Sequence, residues 1–114
     1  MYDSTNLLTA LFWNKLLEKI MSVSNVNIFE FYDENKANEW ISWYNIQGPI
    51  GWCEADILLF VRAGPSSGIS VSVYPNDEAR EAGSEARNEF QKQQSKFISD
   101  ISTLEGDVEV KHVK

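Results

Sequence analysis

Large aromatic side chains are concentrated in one short stretch of this 114-residue chain. Residues 40–52 read WISWYNIQGPIGW and contain three of the four tryptophans, Trp40, Trp43 and Trp52. Tryptophan combines a large apolar surface with one N–H donor, so such a cluster can fill a core, anchor a partner or form the wall of a ligand pocket. Trp40 lies on an apolar helical stripe and is predicted to be core. Trp43 lies on the flank of that stripe and Trp52 follows a Gly-Pro segment, so both could face a cavity or a partner.

The side chains that most often perform catalysis are few and scattered. Cys53 is the only cysteine, which excludes an internal disulfide, and we interpret it as a small buried hydrophobe because no Cys-His arrangement is visible. His112, near the end of the sequence, is interpreted as a hydrogen-bonded residue rather than a general base. The carboxylates of 77–89 alternate with arginines, which is typical of a solvated helix face. We therefore assign no catalytic residue and predict no metal and no cofactor.

Charge and composition limit the possible partners. The formal net charge is −7, which argues against a nucleic-acid partner because phosphates are neutralised by clustered lysines and arginines. A basic protein partner, or solubility alone, is compatible with that charge. The apolar N-terminal stretch is interrupted by charged residues, so we predict neither a signal peptide nor a membrane partner. A single cysteine favours a reducing compartment, and we expect a cytoplasmic protein.

The elements that must position these residues follow from hydrophobic periodicity. The predicted helices are 5–22, 34–46 and about 77–102, and the predicted strands are 26–32, 54–62, 69–74 and 108–113. Residues 47–51 are predicted to be a turn, and Gly83 allows the long helix to break and restart at Ser84. The order is typical of an α+β, ferredoxin-like βαββαβ sandwich with a four-stranded antiparallel sheet. A single domain, 1–114, would then consist of a helical extension over 1–25 and a core over 26–113.

One face of this sheet would lie against the helices, and the other would need a cover. If Ile57, Leu59 and their neighbours face the helices, the outer face carries Leu58 and Phe60. The first strand adds to it one of two rows, either Asn27, Phe29 and Phe31 or Val26, Ile28, Glu30 and Tyr32. With the first row the outer face holds Phe29, Phe31, Leu58 and Phe60, and these four residues are our candidate protein interface, because so apolar a face does not stay open to water. The cover could be the N-terminal helix, a second copy of the chain, or a ligand held between them.

Two segments resemble a known superfamily. GPIGWCEADILLF (48–60) and GISVSVYPNDEAREA (68–82) resemble the dimeric α/β-barrel proteins, and among them the antibiotic-biosynthesis-monooxygenase-like family. In that family a Gly-containing turn often enters the second strand, and the third strand often leads through an aromatic residue and a polar turn into a Glu/Ala-rich helix. The resemblance covers about 26–113. It implies a homodimer with a cavity between helices and sheet in each protomer.

The resemblance also carries expectations about chemistry. The family includes cofactor-free oxygenases that act on aromatic polyketides and haem-degrading enzymes that use a histidine on the long second helix. That helix has no histidine here, which speaks against haem. A cofactor-independent monooxygenase acting on a small aromatic substrate needs polar groups around an electron-rich ring. The candidate ligand-binding residues are then Asn27, Trp43, Trp52 and Tyr74.

A second hypothesis belongs to a different class. The acidic charge, the acidic helix over 77–89 and the absence of a catalytic motif are compatible with a non-enzymatic protein-binding module, such as a toxin-neutralising immunity protein or a regulatory protein. That hypothesis predicts a basic protein partner and an association that weakens with salt. The sequence leaves open whether the protein is an enzyme. It also leaves open whether the N-terminal helix covers the sheet and keeps the chain monomeric.

Overall fold

Four strands form one antiparallel sheet in the order β2-β3-β1-β4. In the computed structural model, which describes residues 9–10 and 21–113, the elements are β1 (Val23–Phe31), α1 (Glu34–Gly51), β2 (Ile57–Gly64), β3 (Ser67–Tyr74), α2 (Asp77–Ala82), α3 (Ser84–Gln94) and β4 (Ile98–Asp107). The predicted ferredoxin-like βαββαβ fold is confirmed. Residues 9–10 are helical, and the rest of the predicted helix 5–22 lies outside the described residues, except positions 21–22, which are not helical.

Helix α1 is longer than predicted. It begins where the Lys36 amide donates to Asp33 Oδ1 at 2.7 Å, and it continues through Pro49 to Gly51, so the predicted turn over 47–51 is wrong. The glycines explain this. A Cβ on Gly51 would come within 2.8 Å of the Phe90 ring, so the absence of a side chain lets the end of α1 pack directly on α3. This tertiary contact outweighs the low helix propensity of the Gly-Pro segment.

Strands β2 and β3 are joined by a tight hairpin whose strands are shifted relative to the predicted bounds. Only Pro65 and Ser66 lie between the strands, and Arg62 fastens the turn through its Nη2–H bond to the Pro65 carbonyl at 2.5 Å. The Phe60 ring crosses over Gly68, where it occupies the place of a Cβ. Glycine at this position therefore allows an inward-facing aromatic on an edge strand.

The C-terminal third differs most from the prediction. The long helix does break at Gly83, with Asn76 accepting from the Ala79 amide as the cap of α2 at 2.8 Å, but α3 ends at Gln94 and the chain returns as β4 along β1. The predicted helix end at 102 and the predicted strand 108–113 are both wrong. Without β4, the edge of β1 would leave backbone groups unpaired beside the core. The pairing with β1, and not local propensity, therefore makes residues 98–107 a strand.

The two faces of the sheet are the reverse of our conditional assignment. Phe29 and Phe31 are each 3% exposed and pack with Trp40 under the helices, and Leu58 and Phe60 lie on the same inner side. The candidate interface formed by these four side chains is therefore corrected, because they belong to the core. The outer face instead carries exposed aliphatic side chains, Ile28 (44%), Leu59 (53%), Val61 (57%) and Leu104 (61%). Both rows are apolar, so alternation alone could not show which row faces the helices.

Candidate ligand cleft between helices and sheet

Polar side chains occupy part of the inner sheet face, where a core is ordinarily apolar. Asn27 on β1 donates from Nδ2 to Ser70 Oγ on β3 at 3.2 Å and accepts at Oδ1 from Thr103 Oγ1 on β4 at 2.7 Å. Ser70 and Ser72 are both buried. A side-chain hydrogen-bond chain therefore crosses three neighbouring strands on one face. It forms a polar floor beneath the helices.

Aromatic rings from α1 and the segment after it stand over this floor. Trp40 stacks on Tyr44 with ring centroids 4.6 Å apart, and the Trp52 ring meets Tyr44 edge-on at 5.4 Å. The Trp40 indole N–H donates to Gln94 Oε1 on α3 at 3.0 Å, so the one polar group of this buried side chain is satisfied. The wall is held in place by packing and by this buried hydrogen bond.

Floor and wall enclose a space that we call the inner cleft. It has a volume of about 210 Å³, and its lining includes Asn25, Asn27, Trp52, Ser72, Gln91 and Thr103. A narrow deep end of about 10 Å³ reaches Trp40 and Tyr44, which is room for roughly one water molecule. A second cleft of about 370 Å³ between α3 and β4 shares Gln91 and Thr103 with the first. The second cleft falls within the roughly 300–1,000 Å³ typical of small-ligand sites, and the inner cleft is smaller than that range.

The hydroxyl of Tyr44 has altered acidity. Burial, with a smaller contribution from nearby Tyr74, raises the pKa of Tyr44 to about 12. The phenol is thus fully protonated near neutral pH. It can act there as a hydrogen-bond donor at the deep end of the cleft.

Cys53 is not placed or activated as a nucleophile. It is exposed, which corrects the interpretation that it is buried. A hydrogen bond with the Glu54 side chain is the main cause that raises the pKa of its thiol. Since the thiolate is the reactive form, the neighbouring carboxylate makes Cys53 less reactive at neutral pH.

A buried arginine packs on Tyr74 and also lines the inner cleft. Arg87 on α3 is 7% exposed, donates from Nη2 to the Arg80 carbonyl and lies over the Tyr74 ring, 5.1 Å from its centroid. Its Nη1 has no hydrogen-bond partner among the described residues, nor has the buried Oδ1 of Asn25 on the floor. Asn25 therefore gives the inner cleft one unused acceptor.

The structure brings together two of the four predicted ligand-binding residues. Asn27 and Trp52 both line the inner cleft. Trp43 is half-buried against Phe90, with ring centroids 5.7 Å apart, and Tyr74 is fully buried in the cluster behind Trp52. Neither Trp43 nor Tyr74 lines the inner cleft.

Several lining residues were not found by sequence reasoning, chiefly Ser72, Gln91, Gln94 and Thr103. One signal was present, because glutamines occupy the positions of the third helix where a further apolar turn would fall. Arg87, Gln91 and Gln94 give α3 a polar inner side, which lines a cleft instead of filling a core. Thr103 was missed because no strand was predicted between the helix end at about 102 and residue 108, whereas β4 spans Ile98–Asp107.

Neither a metal site nor a membrane-spanning helix is found among the described residues. Within 9–10 and 21–113, no group of three or more His, Cys, Asp or Glu side chains is arranged to hold a metal ion. No helix in the same part of the chain is both long and apolar enough to span a membrane.

Comparison with known proteins identifies the fold. No protein-family model matches this chain, and no curated protein matches it in sequence. Among solved structures, a Nitrosomonas europaea protein of unknown function is similar over 83% of this chain and 96% of its own, with a TM-score of 0.69 at 9% identity. A dimeric ferredoxin-like protein from an uncultured marine organism is similar over 82% and 93%, with a TM-score of 0.64 at 12% identity.

A third solved structure comes from an enzyme. A variant of SnoaB, a cofactor-independent oxygenase from Streptomyces nogalater, is similar over 81% of this chain and 95% of its own, with a TM-score of 0.53 at 11% identity. The resemblance drawn from the sequence is confirmed at the level of fold. At such low identities these likenesses establish the fold alone.

Proposed function

We propose that the chain forms a homodimer of the dimeric α/β-barrel type and binds a small aromatic ligand in the inner cleft of each protomer. The observation that carries this proposal is the polar floor of Asn27, Ser70 and Thr103, of which Asn27 and Thr103 line the inner cleft together with the Trp52 ring. A flat ring can stack on the indole. Its hydroxyl groups can then donate to the buried Asn25 Oδ1, which has no hydrogen-bond partner among the described residues and which a purely apolar ligand would leave unpaired.

Cofactor-independent monooxygenation is the reaction that we propose at this site. In such a reaction the deprotonated aromatic substrate itself supplies the electrons to O₂. One oxygen atom enters the product, and the other leaves as water with two hydrogens from the substrate. The protein must therefore orient the ring, stabilise its oxyanion and exclude water. Asn27 uses one N–H of its amide for Ser70, so the second N–H, together with the Gln91 amide, can donate to the oxyanion.

The homodimer is supported by the outer face of the sheet. Its exposed aliphatic residues are contiguous, since Val61 lies opposite Ile69 and Ile69 lies opposite Ile28 across β3 and β1. Continuous apolar surface of this kind marks an interface in soluble proteins. The fold shared with a dimeric ferredoxin-like protein supports the same assembly here.

Oxygen uptake in the presence of an electron-rich polycyclic phenol tests the reaction. We expect uptake without added flavin or metal, and a decrease in kcat of about 100-fold in Asn27→Ala, which is typical for the loss of one oxyanion donor. Asn35→Ala, at an exposed position on α1, is the matched control and should retain the native rate. Tight binding of the phenol without oxygen uptake would support the proposed ligand site but contradict the proposed monooxygenase activity.

A non-enzymatic module remains as the second candidate function. The carboxylates along α2 and α3 are all exposed, Asp77, Glu78, Glu81, Glu85 and Glu89. Such a surface fits a basic protein partner. Binding of a lysine-rich peptide that weakens steeply between low and physiological salt would favour this candidate, whereas binding that is insensitive to salt would count against it.

A further inference from the structure

The inner cleft can hold only part of a ligand of ordinary size. Its volume is about 210 Å³, whereas small-ligand sites have roughly 300–1,000 Å³. A ligand of that size that places a ring against Trp52 must therefore extend out of the inner cleft. The walls of the space next to it show what the further part of the ligand can be.

The space next to the inner cleft is the second cleft, between α3 and β4, with a volume of about 370 Å³. Gln91 and Thr103 line both clefts. Gln94 lines the second cleft and also the narrow deep end that reaches Trp40. Because the clefts share these side chains, one ligand can occupy both.

Gln94 presents a hydrogen-bond donor at the junction of the two clefts. Its side chain is 5% exposed, and its Oε1 accepts from the Trp40 indole N–H at 3.0 Å. This bond fixes the orientation of the amide, and none of the described residues accepts from its Nε2. An amide N–H that is already held in place loses little freedom when it donates to a ligand oxygen.

The walls of the two clefts differ in chemistry. Trp40, Tyr44 and Trp52 stand around the inner cleft and its deep end, whereas none of the described residues that line the second cleft is aromatic. Six of its eight lining residues are polar, namely Gln91, Gln94, Ser95, Ser99, Asp100 and Thr103. The other two, Ile98 and Ile101, add a small aliphatic surface. The part of the ligand that lies here therefore carries hydrogen-bonding groups and is not a further aromatic ring.

Charge narrows the choice of substituent. Asp100 is the only ionisable residue among the described residues that line the second cleft, so a phosphate or carboxylate would meet no cation there and would be repelled by a carboxylate. A plain alkyl chain would displace water from the hydroxyl and amide groups without replacing its hydrogen bonds. A neutral sugar has hydroxyl groups that both donate and accept, and its C–H faces can pack on the isoleucines.

We infer that the ligand of this protein is a glycosylated aromatic compound, whose ring lies against Trp52 and whose sugar lies in the second cleft. The inference rests on the ligand site of the proposed function and deepens it by naming the class of ligand. The oxygen that joins ring and sugar lies at the junction of the clefts, beside Gln91 and Gln94. The sugar hydroxyls then pair with the side chains of α3 and β4 that line the second cleft.

Calorimetric titration with a dihydroxynaphthalene and with its mono-O-glucoside tests this inference. We expect the native chain to bind the glucoside about tenfold or more tightly than the free diol, which is the size of one or two net hydrogen bonds. Ser95→Phe, at an exposed position in the lining of the second cleft, should remove most of this preference and change the affinity for the diol by less than about twofold. Gln93→Phe is the matched control, because Gln93 is exposed on the same helix but does not line this cleft, and it should bind both compounds like the native chain.

Saturation-transfer NMR on the native chain tests the same inference without a variant. We expect the sugar protons of the bound glucoside to be saturated as strongly as its ring protons. Equal or weaker binding of the glucoside, saturation of the ring protons alone, or a glucoside preference that persists in Ser95→Phe would overturn the sugar site and leave the aromatic site intact. Absence of binding for both compounds would overturn the sugar site together with the ligand site of the proposed function.

Discussion

Tyr44 belongs to the buried aromatic wall and is also a titratable residue whose pKa is raised. Its ring stacks on Trp40 and meets Trp52 edge-on, so the hydroxyl lies where water is scarce. Its pKa of about 12, against an ordinary value of 10.0, means that the folded chain holds this proton more tightly than the unfolded chain. The resulting stability is fully present below pH 10 and is lost as the pH rises towards 12.

Removing that hydroxyl should reduce the sensitivity of the fold to alkali. For the native chain we expect the free energy of unfolding to fall between pH 10 and pH 12 by an extra amount on the order of 2 kcal/mol due to Tyr44. Tyr44→Phe should lack this part of the decrease. Urea unfolding at pH 10 and pH 12 measures the difference, and Tyr32→Phe, at an exposed site, is the control. Equal alkaline losses in the native chain and Tyr44→Phe would refute the assignment.

At the scale of elements, α1 and α3 are held together by very few polar groups. The Trp40–Gln94 hydrogen bond is buried and joins residues 54 positions apart in the sequence. It fixes the spacing of the two helices over the polar floor. That spacing in turn sets the width of the inner cleft.

Replacing the acceptor should therefore cost stability. Gln94→Leu keeps the volume but leaves the Trp40 indole N–H unpaired in the core, which destabilises by about 1–3 kcal/mol. Gln93→Leu, on the exposed side of the same helix, should change the free energy of unfolding by less than about 0.5 kcal/mol. Chemical denaturation of both variants measures this. A loss in Gln94→Leu no larger than that in Gln93→Leu would show that the bond contributes nothing.

The sequence predicted those elements whose pattern is local. The β2–β3 hairpin and the break at Gly83 follow from alternation and from glycine and proline. Strand β4 does not follow from local pattern. Its residues up to 102 have the pattern of a helix, and only their long-range pairing with β1 makes them a strand. The candidate site was likewise predicted only in part. Asn27 was found through family resemblance, but Ser72 and Thr103 depend on which row of each strand faces inward, and two apolar rows cannot be told apart by pattern.

At the scale of the whole molecule, the two faces of the sheet differ in composition. The inner face combines aromatic and polar groups around a cleft, and the outer face carries a contiguous aliphatic patch bordered by polar and acidic side chains such as Glu30 and Asp100. A homodimer through the outer face buries its apolar surface and leaves the mouths of both clefts on the helical side. The proposed homodimer would thus combine the shared fold with the proposed ligand site in each protomer.

A charge on the outer face should separate the protomers. Leu59→Lys places an ammonium group in the proposed interface, and we expect self-association to weaken by about 100-fold or more, because an unpaired charge is costly to desolvate. Ile46→Lys is the control, since Ile46 is similarly exposed but lies on α1. Light scattering across micromolar concentrations measures both variants. Equal masses for the two variants would contradict an interface at this face.

Calorimetric titration of the native chain with a hydroxylated polycyclic aromatic compound tests the central claim most directly. We predict one ligand per protomer, with binding weakened by about two- to tenfold in Asn27→Leu, since the loss of one net hydrogen bond to this half-buried amide costs about 0.5–1.5 kcal/mol. Asn35→Leu should bind like the native chain. Absence of binding, or equal affinity in the native chain and Asn27→Leu, would contradict a ligand site on the polar floor.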